Sequence, residues 1–150
     1  MAAFRAGIPT SSGEALMKQG RTVLEAKRFG CYTCYPDTPL VEAVKKMVAE
    51  DVSCLVVIDP DGYLAGIVTR NDVVRGYMGG DDWQSVPVGQ CMTESVITVV
   101  PEDLLSTVAD LLLEHHIHRV VVVREEQGKP KPVAVVSSSD LIYHMMKEIE

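Results

Sequence analysis

The feature that most constrains this chain is a pattern that occurs twice. Gly66-Ile67-Val68-Thr69-Arg70-Asn71-Asp72 returns, altered, as Ala134-Val135-Val136-Ser137-Ser138-Ser139-Asp140. Each copy is a short apolar run, then a hydroxyl residue, then an aspartate three positions later. Apolar residues resume after each aspartate, as Val73-Val74 and Leu141-Ile142. The pattern predicts a buried strand that turns directly into a helix. Such a turn leaves backbone N–H groups at the helix start pointing toward polar oxygens. A duplicated motif makes an internal repeat the first thing to test.

The test is a constant offset. Pro36 maps on Pro101 at a shift of 65, and the same shift pairs Val23 with Val88, Thr33 with Thr98, Leu40 with Leu105 and Val57 with Val122. From Asp72 to Asp140 the shift is 68, so the second copy holds three extra residues. The charged stretch Arg124 to Lys131 is the expected place for them, as a wet hairpin loop where insertion costs little. A whole order of elements held at one offset describes two units of strand, helix, strand, strand, helix. Each is too small to bury its own core, so the two are expected to pack face to face about a pseudo-twofold axis.

Taken in order, residues 1–22 read as a loose arm with a helix from about Gly13 to Lys18, opened by Ser11-x-x-Glu14. Thr22-x-x-Glu25 starts a shorter helix that ends near Gly30. Repeat one is expected over 23–80. It has a strand at Cys31–Tyr35 and a helix whose buried face is Leu40, Ala43, Val44, Met47 and Val48. A hairpin follows, Cys54–Ile58 and Leu64–Val68 about the Asp59-Pro60-Asp61-Gly62 turn. Its last helix is Asn71–Tyr77. A polar linker, 81–90, carries Trp83 as its one large anchor. Repeat two, 91–150, has strands at Val96–Val100, Val120–Val123 and Val133–Val136. Its helices hold Leu105, Val108, Ala109 and Leu112, then the stripe Leu141, Met145 and Ile149. The fold class is therefore α/β (α+β).

Charge and length exclude several functions. The net charge is −7 with no basic run, so no nucleic-acid partner is expected. No apolar run nears the roughly 20 residues that span a bilayer, so no membrane insertion is expected. Met1 to Ser12 lacks the apolar segment of a signal peptide. A cytoplasmic location is expected, with the four cysteines as free thiols.

Two β-α-β-β-α units, each ending in a small-x-x-Asp turn, resemble a tandem pair of CBS domains, named after cystathionine β-synthase. The resemblance covers about Val23 to Ile149. Val52-Ser53-Cys54-Leu55 and Ile117-His118-Arg119-Val120 look like the family's helix-to-strand corners. Both lack the proline common just beyond, and Ala134 stands where glycine is usual. The resemblance implies a regulatory module for an adenosine-containing ligand: AMP, ADP, ATP or S-adenosylmethionine. It also implies a homodimer that controls an associated enzyme or transporter, with no catalysis and no cofactor of its own. Carried over by residue, one cleft would use Ile67, Thr69 and Asp72 with the Ile117–Arg119 corner. The other would use Val135, Ser137 and Asp140 with the Val52–Cys54 corner. His118-Arg119 resembles the basic pair that meets phosphates in the γ subunit of AMP-activated protein kinase. The fuller motif, Gly66–Asp72, is expected to carry the stronger site.

The chemistry stands beside the resemblance. A carboxylate accepts from both ribose hydroxyls, and a neighbouring hydroxyl adds a donor and an acceptor. Adenine needs a flat apolar slot. Phosphates need guanidinium groups, for which Arg70 and Arg119 are the candidates. Each residue set also has a plainer reading. Thr69-x-x-Asp72 and Ser137-x-x-Asp140 are capping boxes by spacing alone. Cys31-x-x-Cys34 has zinc or redox spacing, yet residues three apart in a strand face opposite sides, so core thiols are expected. His115, His116 and His118 look like a metal cluster, yet His115 and His116 suit a solvated helix end, His118 belongs with Arg119, and no metal site is expected. Three functions remain open: a ligand-sensing module, an interaction protein with vestigial clefts, and a small metal- or thiol-dependent enzyme.

Overall fold

A computed structural model describes residues 2–5, 20–26 and 30–149. The helix expected over Gly13 to Lys18 lies outside the described residues. In repeat one, the chain enters β2 (Thr33–Cys34) and then α2 (Leu40–Glu50), where Leu40, Ala43 and Met47 form the buried stripe. The helix stops at Asp51, whose φ of 51° is left-handed and returns its N–H to the Met47 and Val48 carbonyls. β3 (Cys54–Ile58) and β4 (Leu64–Thr69) form the expected hairpin, and α3 (Arg70–Met78) follows without a loop. The linker makes two single 3₁₀ turns, Trp83–Ser85 and Val88–Gln90. Trp83 packs against the repeat-one core and edge-on to Tyr77, with ring centroids 5.4 Å apart.

Repeat two copies this order with β5 (Ser95–Val99), α4 (Leu105–His115), β6 (Arg119–Glu126), β7 (Lys129–Ser137) and α5 (Ser138–Ile149). One sheet is ordered β2-β3-β4. The other is ordered β5-β6-β7, with β1 (Ala2–Arg5) added in parallel to the outside of β5. In both, the first pair is parallel and the second antiparallel. A four-residue helix, α1 (Val23–Ala26), begins at the Thr22/Glu25 box, whose side chains bond at 2.9 Å.

β3, and β6 over Val120–Val123, are apolar because both of their faces are covered there. Leu55 and Val57 face the helices of repeat one, as Val120 and Val122 face those of repeat two. Val56, Val121 and Val123 face the opposite way, into a third cluster shared with Leu64 and Val96. That shared cluster is where the two sheets meet.

The repeats are also interlocked by their lead-in segments. Leu105 N–H donates to the Arg21 carbonyl at 2.9 Å and Val23 N–H to that of Asp103 at 3.0 Å. At the 65-residue offset, Leu40 N–H donates to Val86 and Val88 N–H to Thr38, both at 2.8 Å. Each lead-in segment therefore closes the core of the other repeat, and Val23 and Val88 are both fully buried.

Four expectations change. Arg124–Lys131 is not a loop: β6 and β7 pair out to Glu126 and Lys129 around a Gln127-Gly128 turn. Both turn residues have positive φ, 53° and 76°, the tight-hairpin geometry that matches strand twist. The three extra residues thus lengthen a ladder. Val48 is 77% exposed, because α2 needs only Leu40, Ala43 and Met47 to seal its sheet. The first strand shrinks from Cys31–Tyr35 to two residues. On α5, Leu141 and His144 are buried, while Met145 and Ile149 turn outward.

Candidate functional site

The two strand-to-helix turns fold alike and end in different states. At the first, Thr69 caps α3: its Oγ accepts from Asp72 N–H at 3.3 Å, and Asp72 Oδ2 accepts from Thr69 N–H at 2.8 Å. The Thr69 hydroxyl also donates to Oδ2 at 3.0 Å. The other oxygen, Oδ1, is held by the Arg75 guanidinium one helical turn on, and the Thr93 hydroxyl lies 3.4–3.5 Å from both oxygens. Asp72 is 2% exposed. The linker chain presses on this turn, since Ile67 and Thr93 exchange backbone hydrogen bonds at 2.9 and 2.7 Å. Gly66 is required there: a Cβ would sit 2.6 Å from the Thr93 carbonyl oxygen. In the second copy the facing residue is Gly30, whose N–H donates to Val133 at 2.6 Å. Gly30 runs parallel to Ala134, whereas Thr93 runs antiparallel to Ile67, and Ala134 stands where glycine would be expected.

At the second turn, Asp140 Oδ2 accepts from Ser137 N–H at 2.8 Å and from its hydroxyl at 3.2 Å. Asp140 is half-buried and looks into a cavity of about 640 Å³. Val135 and Ser137 line it from β7, and Val52, Ser53 and Cys54 from the corner of the other repeat. Those six residues are the second cleft expected from sequence. Arg119 joins them, with Nη2 donating to Ser53 Oγ at 3.4 Å, although the sequence groups it with Asp72. Gly30, Cys31, Tyr32 and Asp51 complete the wall. Sequence reasoning missed these four. Gly30–Tyr32 enters the site because the chain crosses from β7 to β3 there, and Asp51 because it caps α2.

The corners are tied to the turns by one hydrogen bond each: Arg70 N–H to the Ser53 carbonyl at 3.2 Å, and Ser138 N–H to the His118 carbonyl at 2.9 Å. The remaining candidates lie elsewhere. Ile117 packs against the repeat-two core, His118 is exposed, and Arg70 lines an outer groove between α2 and α3. His115 and His116 are exposed at the end of α4. Among the described residues, no three His, Cys, Asp or Glu side chains gather as for a metal ion.

The cavity is polar and mixed in charge, with Arg119 facing the carboxylates of Asp140 and Asp51. Burial pushes the Cys54 thiol up, and the nearby Arg119 charge partly opposes it. Cys31 is raised by burial and then by Cys54. Cys34 faces the opposite way, into the repeat-one core, where burial takes it up to about 11. Cys31 and Cys34 thus divide between two faces, as their spacing in an extended chain requires. No helix among the described residues is long and apolar enough to cross a membrane.

Known proteins share this architecture. The CBS domain family model matches residues 27–79 and 88–147. The CBS domain-containing protein CBSX3, mitochondrial, of Arabidopsis thaliana is 31% identical over 120 residues, covering 77% of this chain and 56% of that protein. The chain therefore spans little more than half of that relative. Among solved structures, CBSX2 in complex with AMP superimposes with a TM-score of 0.73 at 24% identity, covering 87% of this chain and all of that one. A CBS domain pair in complex with 5′-methylthioadenosine and S-adenosyl-L-methionine gives 0.73 at 22% identity, covering 86% of this chain and 98% of that one. With two matched copies spanning most of its length, the chain belongs to the CBS domain family, as a tandem pair.

Proposed function

We propose that this protein is a non-catalytic regulatory module that binds an adenosine-containing ligand in the Asp140 cavity. The observation that carries the reading is the cavity itself. It joins a carboxylate–hydroxyl turn from one repeat to the apolar-and-polar corner of the other, at a size that suits a small molecule. The two fold neighbours hold different ligands, AMP in one and S-adenosyl compounds in the other, and the common part is adenosine. In this reading Asp140 and Ser137 take the ribose hydroxyls, Val52 and Val135 flank the adenine, and Arg119 meets a 5′ phosphate where there is one. Binding of AMP, ADP or ATP would make the module an energy sensor for an enzyme or transporter, and its acidic charge and four thiols suit the cytoplasm.

A second reading has one observation of its own. Asp72 is already occupied by Arg75 and Thr93, so the Thr69/Asp72 cleft is vestigial in this reading and serves the fold alone. Calorimetry with AMP, ADP, ATP and S-adenosylmethionine tests both. At least one compound should bind, with one site per chain. No binding by any of them would leave an interaction protein with two unused clefts.

A further inference from the structure

The four cysteines are free and differ in position. Cys34 lies in the outer core of repeat one, and Cys91 packs against that same core, near Asp72 and Arg75. Cys31 and Cys54 share the cavity wall. The pairing of β2 with β3 brings these two together. The strands run parallel, with Thr33 opposite Val56 and Cys34 opposite Val57. Two residues back along each chain, the same register sets Cys31 opposite Cys54. Residues two apart in an extended chain share a face, so both thiols lie on the side of Thr33 and Val56. Cys31 indeed packs against the cluster that holds Val56. Adjacent strands lie about 4.8 Å apart, within the roughly 4.4–6.8 Å between Cα atoms that a disulfide spans.

We propose that Cys31 and Cys54 are a dithiol site that forms a reversible disulfide and stiffens one wall of the cavity between the repeats. The oxidant is a small disulfide such as glutathione disulfide. The Cys54 thiolate attacks one of its sulfurs, forming a mixed disulfide and releasing one glutathione thiolate. The Cys31 thiolate then attacks the Cys54 sulfur and releases the second glutathione. Two protein thiols are oxidised, one disulfide is reduced to two thiols, and the two protons pass to the departing thiolates. Cys54 leads because Arg119 stabilises its thiolate, whereas Cys54 itself disfavours a charge on Cys31. Burial keeps both groups protonated near neutrality, so exchange is slow there and quickens as pH rises. The new bond ties the start of β3 to the chain entering β2, across the wall where the Val52–Cys54 corner meets the ligand. The effect on ligand affinity rests on the adenosine reading; the bond does not.

The test uses the whole chain carrying Cys34→Ser and Cys91→Ser, equilibrated with glutathione disulfide at alkaline pH. The expected mass loss is two hydrogens, mapped by peptide analysis to one Cys31–Cys54 cross-link and reversed by dithiothreitol. The same mapping on the wild-type chain guards against a folding defect in the variant, and adding Cys31→Ser should abolish the cross-link. Persistent free thiols, or glutathione adducts that never resolve, would overturn the pair. The stiffening is read separately. AMP should bind the oxidised form at least about tenfold more weakly, and the amides of 30–32 and 51–54 should exchange more slowly. A cross-linked chain with unchanged exchange would overturn the stiffening. AMP failing to bind either form would count against the ligand reading alone.

Discussion

Asp72 and Asp140 occupy equivalent places in different surroundings. Asp72 is buried among the Thr69 cap, Arg75 and Thr93, so its removal strips a helix cap and leaves a cation without its partner. Asp72→Ala should lower unfolding stability by about 1–3 kcal/mol, the cost of removing one partner from buried hydrogen bonds, with little change in ligand affinity. Asp140→Ala should weaken adenosine-ligand binding roughly ten- to a hundredfold, as expected for hydrogen bonds to a charged group, beside the loss of its bonds to Ser137. Urea unfolding and calorimetry on both variants check this, and a larger affinity loss at Asp72 would return the site to the first turn. The sequence points to that first turn because its motif is fuller. What sequence cannot show is that Arg75, one turn further on, folds back onto the carboxylate. Tyr143 stands at the matching position of repeat two. Gly66 is a residue-scale constraint of the same kind. Gly66→Ala should cost about 1–3 kcal/mol, because the clash is with a backbone oxygen that no rotamer change relieves. A melting temperature equal to wild type would show that the linker yields instead.

Among the elements, those with a strong period were legible. α2 and α4 follow from their apolar spacing, β3 and β6 from unbroken apolar runs, and the β3–β4 turn from Asp59-Pro60-Asp61-Gly62. The element least legible was the lead-in segment. Arg21–Val23 carries no pattern that says it will bond to repeat two, since those contacts are backbone hydrogen bonds set by tertiary position. Its hold on α5 is chemical as well. Arg21 donates Nη1–H to Nδ1 of the buried His144 at 2.9 Å. Burial, and then the Arg21 charge, push the His144 pKa below its ordinary value, while the Ala26 backbone opposes this. The folded chain then binds fewer protons than the unfolded chain near the usual histidine pKa of about 6.5, so stability rises with pH through that window. It is lost as pH falls from the unfolded pKa toward the lower, folded one. The urea midpoint should therefore drop between about pH 7 and about pH 5, and His144→Gln should remove part of the drop. An identical pH slope in the variant would assign the acid sensitivity to other groups.

At the scale of the whole molecule, the pseudo-twofold leaves a matched pair of apolar faces. Val48 and Leu113, equivalent at the 65-residue offset, are 77% and 76% exposed. Val74 and Ile142, Tyr77 and Met145, and Met78 and Met146 are equivalent at the 68-residue offset, and each is between 39% and 75% exposed. Neither α2–α3 nor α4–α5 needs these side chains to close its own core, which is sealed by the opposite stripe. Isolated exposed apolar residues are ordinary, whereas these fall in two equivalent clusters on helix pairs. One occupant fits both at once. A second copy, placed on a true twofold, presents the same two faces and can cover both pairs in a closed, self-complementary ring. We therefore expect a homodimer held by these four helices. Light scattering should give twice the 16.4 kDa chain mass at micromolar concentration. Val48→Glu with Leu113→Glu, one change on each face, should release monomers without unfolding them, because both side chains already face water in the single chain. A monomeric wild type at that concentration would reject the arrangement. A dimer that survives both charges would place the interface on another surface.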